Sequence, residues 1–509
     1  MASHSLRIGL FDPGMTHIHR VGLAGLYMTL GKLDPADFTD VGTWRLEDHG
    51  IELVWARNPR SLLERIIKES FTITDEGLID FLAYKDHPMG DLQRVLLHNA
   101  IMSTYLQHGQ SRKTEKADRH ISIRFEDKTL NQRIKALREY SHQKIGALFI
   151  RNGDFRNTFS TKGWLFPGAT VRHVGFQSET AISAGPGESL CLWYAPIASL
   201  YYLIQNKRPD GEYDGRKGAA IVFPHIRDLG VYSGCYRRYL GSPSERLYAN
   251  SLGDAGMLAL LSLSAFRPDG MLSQLEVDSC SVVTMGKVSW ASQQKTRTSV
   301  MHLMGIDTSR LNAFSLSLRS LDSTWGIAKD GGLRVRTSLA RGVFAENLAR
   351  GRDWFEGFHR LMQSGKLARA LLYERRGLAE MIDKVKWSAE SDKLFVESIH
   401  TAIRNRFGAL ASRARQKGEA ARFDREFERM RSSLARAKNG QSLRAEIADL
   451  FARGGINRKL QEHWSAILPL FSGPDWQKAR DLALLALASY SGAGANEAII
   501  EPIGEEEEE

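Results

Sequence analysis

Two histidines near the start offer the first possible chemistry: His17 and His19, in FDPGMTHIHRVGLAGLYMTL (Phe11 to Leu30). A histidine pair can chelate a metal, but on a helix residues two apart face nearly opposite sides, so only a strand would let both reach one ion. The residues that follow place Val21, Leu26 and Leu30 as a packed stripe, with Gly22 and Gly25 as points of close backbone approach. The local reading is strand LRIGLF, a turn at Asp12-Pro13-Gly14 and a helix capped by Thr16, with no metal.

Other catalytic patterns fail on the same kind of test. GxxxxGK[ST] is absent, and GPGES at Gly185 to Ser189 lacks the lysine of a phosphate loop. PDGEYDGRK, Pro209 to Lys217, superficially resembles a PD-(D/E)xK nuclease site, but its carboxylates share one glycine-rich loop and cannot build a metal cage. KDH at Lys85 to His87 and EDHG at Glu47 to Gly50 have no partner histidines at ligand spacing, and GxSxG does not occur. Cys191, Cys235 and Cys280 form no CxxC pair and read as three buried thiols. The sequence therefore implies no catalytic residue, no metal and no cofactor.

What it does carry is positive charge. The 509 residues have a net charge of +10 and a pI near 9.4, which favours a polyanionic partner. Between Arg404 and Lys459 fifteen basic residues face six acidic ones, an excess comparable to that of the whole chain. Arg404, Arg406, Arg413, Arg415, Lys417, Arg422, Arg429, Arg436 and Lys438 are the candidates here, because arginine forks suit phosphates better than plain solubility requires. Three polar loops add candidates for reading base edges. LQHGQSRKTEK supplies Gln107, Gln110, Arg112, Lys113 and Lys116; RNGDFRNTFSTKGW supplies Arg151, Asn152, Arg156, Asn157 and Lys162 beside Phe155 and Trp164. SWASQQKTRTS supplies Gln293, Gln294, Lys295 and Arg297.

These residues need elements to position them. Up to about Arg350 the pattern is mixed, with strands expected at LRIGLF, IELVWA, HISIRF, GALFIR, AAIVFP, CSVVTMGKVSW and GLRVRTS. Helices are expected at PRSLLERIIKE, LQRVLLHNAIMSTYL, LNQRIKALREY and AGMLALLSLSAF. Beyond it the strands stop. Phe395, Ile399, Ala402, Ile403, Phe407 and Leu410 recur at helical spacing, as do Phe423, Phe427, Met430 and Leu434, then Leu443, Ile447 and Leu450. Turns are marked by KNGQS, RGGIN and SGPD, the last well placed to open a helix from Trp476 to Leu487. The fold class is α+β: a mixed region of irregular β-sheets and helices over 1–350, a helical linker over 351–380, an all-α bundle over 381–495 and a disordered acidic tail over 496–509. No segment reads as a signal peptide or a membrane span, so a cytoplasmic protein with no membrane partner is expected.

LFDPGMTHIHRVGLAGLYMTL resembles the N-terminal signature of the large subunit of type I CRISPR Cascade complexes, in the MYXAN variety, where a strand and Pro-Gly-Met turn lead into a HxxGLxGL helix. His19, Gly22, Leu23, Gly25 and Leu26 carry that match, and VSWASQQKTR, Val288 to Arg297, is similar to a later block. The resemblance implies a non-catalytic subunit at the end of the guide-RNA filament that recognises a protospacer-adjacent motif, promotes unwinding and R-loop formation, and holds the target or non-target strand. Its implied partners are the guide RNA ribonucleoprotein, backbone and guide-end subunits, double- and single-stranded DNA, and an effector that is either a helicase-nuclease or a transposition machinery. The bundle looks like the small subunit, which an internal start at Met381 could produce separately. Two other readings stand beside this one: a standalone metal-dependent nuclease using His17 or His19, and a DNA-binding scaffold independent of guide RNA.

Overall fold

The computed structural model describes residues 4–87, 89–166, 182–205, 218–266, 272–285, 299–328 and 331–492. The chain divides into two compact units, Met1–Asn206 with Asp214–Leu311 and Ser323–Thr337, and Lys207–Tyr213 with Asn312–Asp322 and Ser338–Glu509.

The first unit is mixed. Strand β1 (Ser5–Gly9) leads through a turn into helix α1 (His17–Leu30), and β2 (Gly42–Glu47) and β3 (Gly50–Trp55) complete an antiparallel sheet of order β1-β3-β2. The turn is closed by Asp12, whose carboxylate accepts from the Gly9 N–H at 2.6 Å, and by Gly14 at φ +88°, where a side chain would be strained. Helices α2 (Pro59–Ser70) and α3 (Asp91–Ser103) follow, as the apolar spacing predicts.

Two sequence expectations fail in the next segment. LNQRIKALREY is not a helix: β4 (Arg112–Thr114) pairs with β7 (Leu137–Tyr140), and β5 (Arg119–Phe125) forms a hairpin with β6 (Lys128–Ile134). Leu130, Gln132 and Ile134 are buried in alternation, a period-2 pattern that outweighs the helical reading of the same residues. GALFIR is not a strand either; Gly146–Leu148 is a single 3-10 turn, and Phe149 makes one isolated bridge to Phe155.

Helix α4 (Pro186–Ala198) packs along α1 and precedes the main sheet. That sheet contains β8 (Leu200–Ile204), β9 (Gly218–Pro224), β10 (Tyr248–Ala249), β11 (Cys280–Met285) and β12 (Val300–Leu303), in the order β10-β8-β9-β11-β12 and antiparallel except at β8–β10. Helices α5 (Leu229–Leu240) and α6 (Leu252–Leu263) accompany it. The last turn of α4 is buried, which would leave its carbonyls without water. Three tyrosine hydroxyls donate to them, Tyr201 to Pro196 O at 2.7 Å, Tyr84 to Ile197 O at 2.6 Å and Tyr232 to Ala198 O at 2.7 Å, and a fourth, Tyr236, donates to the C-cap Ser199 O at 2.9 Å. All four rings are buried, so each supplies apolar area and a polar tip to one core. The three cysteines are free and buried, as expected.

The second unit, within the described residues from Ser338 onward, is helical. Its helices are α7 (Leu339–Ala349), α8 (His359–Gln363), α9 (Gly365–Leu372), α10 (Arg375–Lys384), α11 (Glu390–Lys417), α12 (Phe423–Arg436), α13 (Gly440–Gly454), α14 (Arg458–Glu462), α15 (Trp464–Ser472) and α16 (Trp476–Ser489). Every residue from Ala479 to Ser489 is buried, making α16 the centre on which the others pack. Its N-cap is Asp475, while Ser472 ends α15. The expected seams of α11, α12 and α13 are buried apart from Leu410, which is half-buried. The Asp481 carboxylate accepts from the backbone N–H of Gly357 at 2.7 Å and of His359 at 3.0 Å, and pairs with the His359 ring at 2.6 Å. Among the described residues no helix is long and apolar enough to cross a membrane.

Candidate nucleic-acid interface

The opening motif proves to be architecture. His19, three residues into α1, receives the Thr16 backbone N–H on Nδ1 at 3.3 Å, and the Thr16 hydroxyl lies 2.7 Å from the same atom. Burial lowers the pKa of His19 while Glu188 pulls it the other way; the net lowering favours the neutral ring, whose Nδ1 can accept. Gly22 and Gly25 face α4: a Cβ at Gly22 would lie 1.7 Å from the Cys191 carbonyl oxygen, and one at Gly25 would lie 2.3 Å from that of Tyr194. His17 turns elsewhere and stacks on His225, ring centroids 3.4 Å apart. The two histidines thus serve different neighbours, as helix geometry requires, and among the described residues no group of three or more His, Cys, Asp and Glu side chains is arranged to hold a metal. His225 lies some two hundred residues from His17, and nothing in local spacing pointed to it.

The polar loops divide into exposed and committed side chains. In the first, Gln110, Lys113 and Lys116 are exposed and Gln107 is half-buried. Arg112 is half-buried on β4 and donates to the Met102 carbonyl at 2.6 Å, so it braces the loop; burial lowers its pKa. Lys113 pairs with Glu139 at 3.3 Å. In the second, Arg151, Arg156, Asn157 and Lys162 are exposed, while the Asn152 side chain closes its own turn, donating to the Asp154 carboxylate at 2.7 Å and accepting from the Asp154 N–H at 3.1 Å. Arg156 also donates to the Phe149 carbonyl at 3.2 Å. The aromatic neighbours are packed: Phe155 stacks on Phe149 and meets Trp55, and Trp164 meets His142 and Trp193. They are half-buried anchors of the loop. Gln293, Gln294, Lys295 and Arg297 lie outside the described residues, as do PDGEYDGRK and VSWASQQKTR.

The basic segment divides in the same way. Arg406 and Arg429 converge on the Glu426 carboxylate at 2.8 and 2.7 Å, and this carboxylate is largely buried. Burial would raise the pKa of Glu426, but the two guanidinium groups outweigh it and the net shift is downward. Arg431 is buried between Glu428 and the Met362 and Gln363 carbonyls. These arginines hold helices together. Arg404, Arg413, Arg415, Lys417, Arg422, Arg436 and Lys438 are exposed. Four of them are close in sequence: α11 carries no buried residue after Phe407, Arg413, Arg415 and Lys417 lie on its last turns, and Arg422 follows Gly418, which ends the helix at φ +69°. Among the described residues no ion pair neutralises these four. A helix C-terminus favours cations, and this one is also free of packing demands.

Two family models match the sequence, the DevT N-terminal domain over residues 7–193 and the DevT C-terminal domain over residues 383–509. The sequence is also 28% identical over 536 aligned positions to the CRISPR-associated protein Cas8a1/Csx13 of Myxococcus xanthus (strain DK1622), a match spanning 98% of this chain and 91% of that protein. The likeness first visible in twenty residues therefore runs from end to end.

Proposed function

Since the chain is a relative of the Cascade large subunits and takes its role in a CRISPR Cascade complex, we propose that it reads the protospacer-adjacent motif, helps to open the duplex and holds a separated strand, without catalysing a reaction itself. In such a complex guide pairing reads the long sequence, so the protein needs a small base-reading element and a longer phosphate-holding surface. The first unit supplies exposed Gln110, Arg151, Asn157 and Lys162 on braced loops, with Gln293, Gln294, Lys295 and Arg297 as further readers. The second supplies the surface. The observation that carries this reading is the unneutralised basic end of α11, in a bundle where Arg406, Arg429 and Arg431 are held by carboxylates and carbonyls.

The partners in this reading are a guide RNA, the backbone and guide-end subunits, both forms of DNA, and a recruited helicase-nuclease or transposition machinery. Met381 is the proposed start of a separate small subunit. It is buried in α10, so the fragment would begin inside that helix and retain α11 to α16, much the span that the C-terminal family model matches.

The test is binding to target duplexes with randomised flanking bases, comparing the chain co-purified with its genomic neighbours and a guide RNA against the chain alone. Selection of a short flanking motif by the assembled complex only is the expected result. Guide-independent binding or cutting by the lone chain would overturn the proposal.

A further inference from the structure

The surroundings of His17 hold a group of side chains apart from the loops and the basic helix end described above. His17 and Arg20 stand on the first turns of α1, His225 follows β9, and His302 lies on the edge strand β12. The Oγ of Ser281, on β11, is 3.2 Å from His225 Nε2 and 2.9 Å from His302 Nδ1, so one hydroxyl joins the two imidazoles. Ser281 is buried, His17, Arg20 and His225 are half-buried and His302 is exposed, so the group runs from the interior to the surface. Two of its nitrogens, His17 Nδ1 and Arg20 Nε, are shut off from solvent with no hydrogen-bond partner among the described residues.

The charge balance around these nitrogens is one-sided. Burial, Arg20 and His302 lower the pKa of His17; burial, then His17, His302 and Arg20 push that of His225 down to about 4. Among the described residues the carboxylate opposing this is Asp278, acting on His225. Asp278 is itself engaged by Arg227 at 3.2 Å and by the Ser279 hydroxyl at 2.9 Å. On its other side Arg20 lies over the Phe11 ring, which meets His49. A cation would gain nothing beside Arg20. An anion would pair the buried donors and relieve the repulsion together.

We propose that His17, Arg20, His225 and His302, linked through Ser281, form a binding site for a phosphate group of a nucleic-acid strand. Arg20 and the imidazole N–H groups donate to the phosphate oxygens, and Ser281 fixes the relative orientation of two of the rings. The phosphate raises the imidazole pKa values, so binding takes up protons and tightens as pH falls. The identity of the strand, though not the site, rests on the nucleic-acid role proposed above.

The experiment is an NMR titration of the full chain, labelled at the histidine ring carbons, with inorganic phosphate at constant ionic strength against chloride. Saturable shifts of the His17, His225 and His302 signals are expected. Arg20→Gln and the surface substitution His302→Gln should each weaken binding severalfold. Shifts no larger than those of other histidines, or affinity unchanged in both variants, would overturn the site. A 5′-phosphorylated and a 5′-hydroxyl thymidine trinucleotide then separate the sources. Binding of the phosphorylated form alone assigns a strand end, binding of both assigns a backbone phosphate, and binding of neither overturns the nucleic-acid assignment. These outcomes do not depend on whether the assembled complex selects a flanking motif, so the two proposals fail separately.

Discussion

The Cβ position of Gly22 lies 1.7 Å from the carbonyl oxygen of Cys191, so α1 and α4 meet backbone to backbone. No rotamer change can relieve such a contact, because the obstructing atom is main chain. Overpacking a core costs about 1–3 kcal/mol when side chains can adjust, and Gly22→Ala is expected to reach about 3 kcal/mol or exceed it. Gly234 is the control: it is exposed in α5 with nothing within 4 Å of its Cβ position, so Gly234→Ala should stabilise by about 0.5–1 kcal/mol. Denaturant unfolding of both variants checks the pair. A Gly22→Ala protein as stable as the parent would show that the helices can separate at no cost.

The tyrosine hydroxyls that meet the end of α4 give a second prediction. Tyr232→Phe keeps the ring and removes the donor to Ala198 O, leaving a buried carbonyl to find another partner. The expected loss is about 1–3 kcal/mol. Tyr84→Phe should cost a similar amount through Ile197 O, although its hydroxyl also lies 3.0 Å from that of Tyr236, so the double variant with Tyr236→Phe should be less than additive. Equilibrium unfolding of the single and double variants measures that coupling.

Acid should destabilise the first unit earlier than its carboxylates would. Burial pushes His98 down to about 4 and His142 down to about 3, against an ordinary value near 6.5. A histidine whose folded value is depressed contributes fully above its unfolded value and loses that contribution as pH falls toward the folded one. The window is therefore from about pH 6.5 down to about 4, at about 1.4 kcal/mol per pH unit for each ring. Between pH 7 and pH 5 the two together should remove about 4 kcal/mol. His142→Phe, in a site already walled by Phe71, Tyr105, Tyr140, Trp164 and Trp193, should halve the slope. A stability curve flat across this range would contradict the assignment.

What the sequence revealed depended on how local the determinant was. The seam Phe395, Ile399, Ala402, Ile403 and Phe407 was legible because helical period and burial are the same fact seen twice. Gly22 and Gly25 were legible as a place of close approach, but not as an approach to Cys191 and Tyr194, which lie far along the chain. LNQRIKALREY misled because Leu130 and Ile134 satisfy a helical spacing as well as an alternating one, and only pairing with Arg119–Phe125 decides between them. The same limit applies to sites. Arginine content marked the basic segment, yet its division into structural and exposed guanidinium groups turns on partners such as Glu426 and the Met362 carbonyl, which composition does not reveal.

That division can be tested directly. Replacing Arg413, Arg415, Lys417 and Arg422 together by glutamine removes four exposed charges from the end of α11 and touches no buried contact, so stability should change little. Single-stranded DNA binding should weaken, and its log–log salt slope should fall by about 3, at roughly 0.7 per phosphate contact. Arg406→Gln should behave oppositely. It takes one of two guanidinium partners from the largely buried Glu426, costing about 2 kcal/mol of stability, while the salt slope stays near that of the parent. Fluorescence anisotropy across a salt series, with unfolding measured on the same samples, reads both effects. If the quadruple variant kept the parental slope and Arg406→Gln lost it, the phosphate-holding surface would lie at the Glu426 cluster, and the exposed end of α11 would have no part in binding.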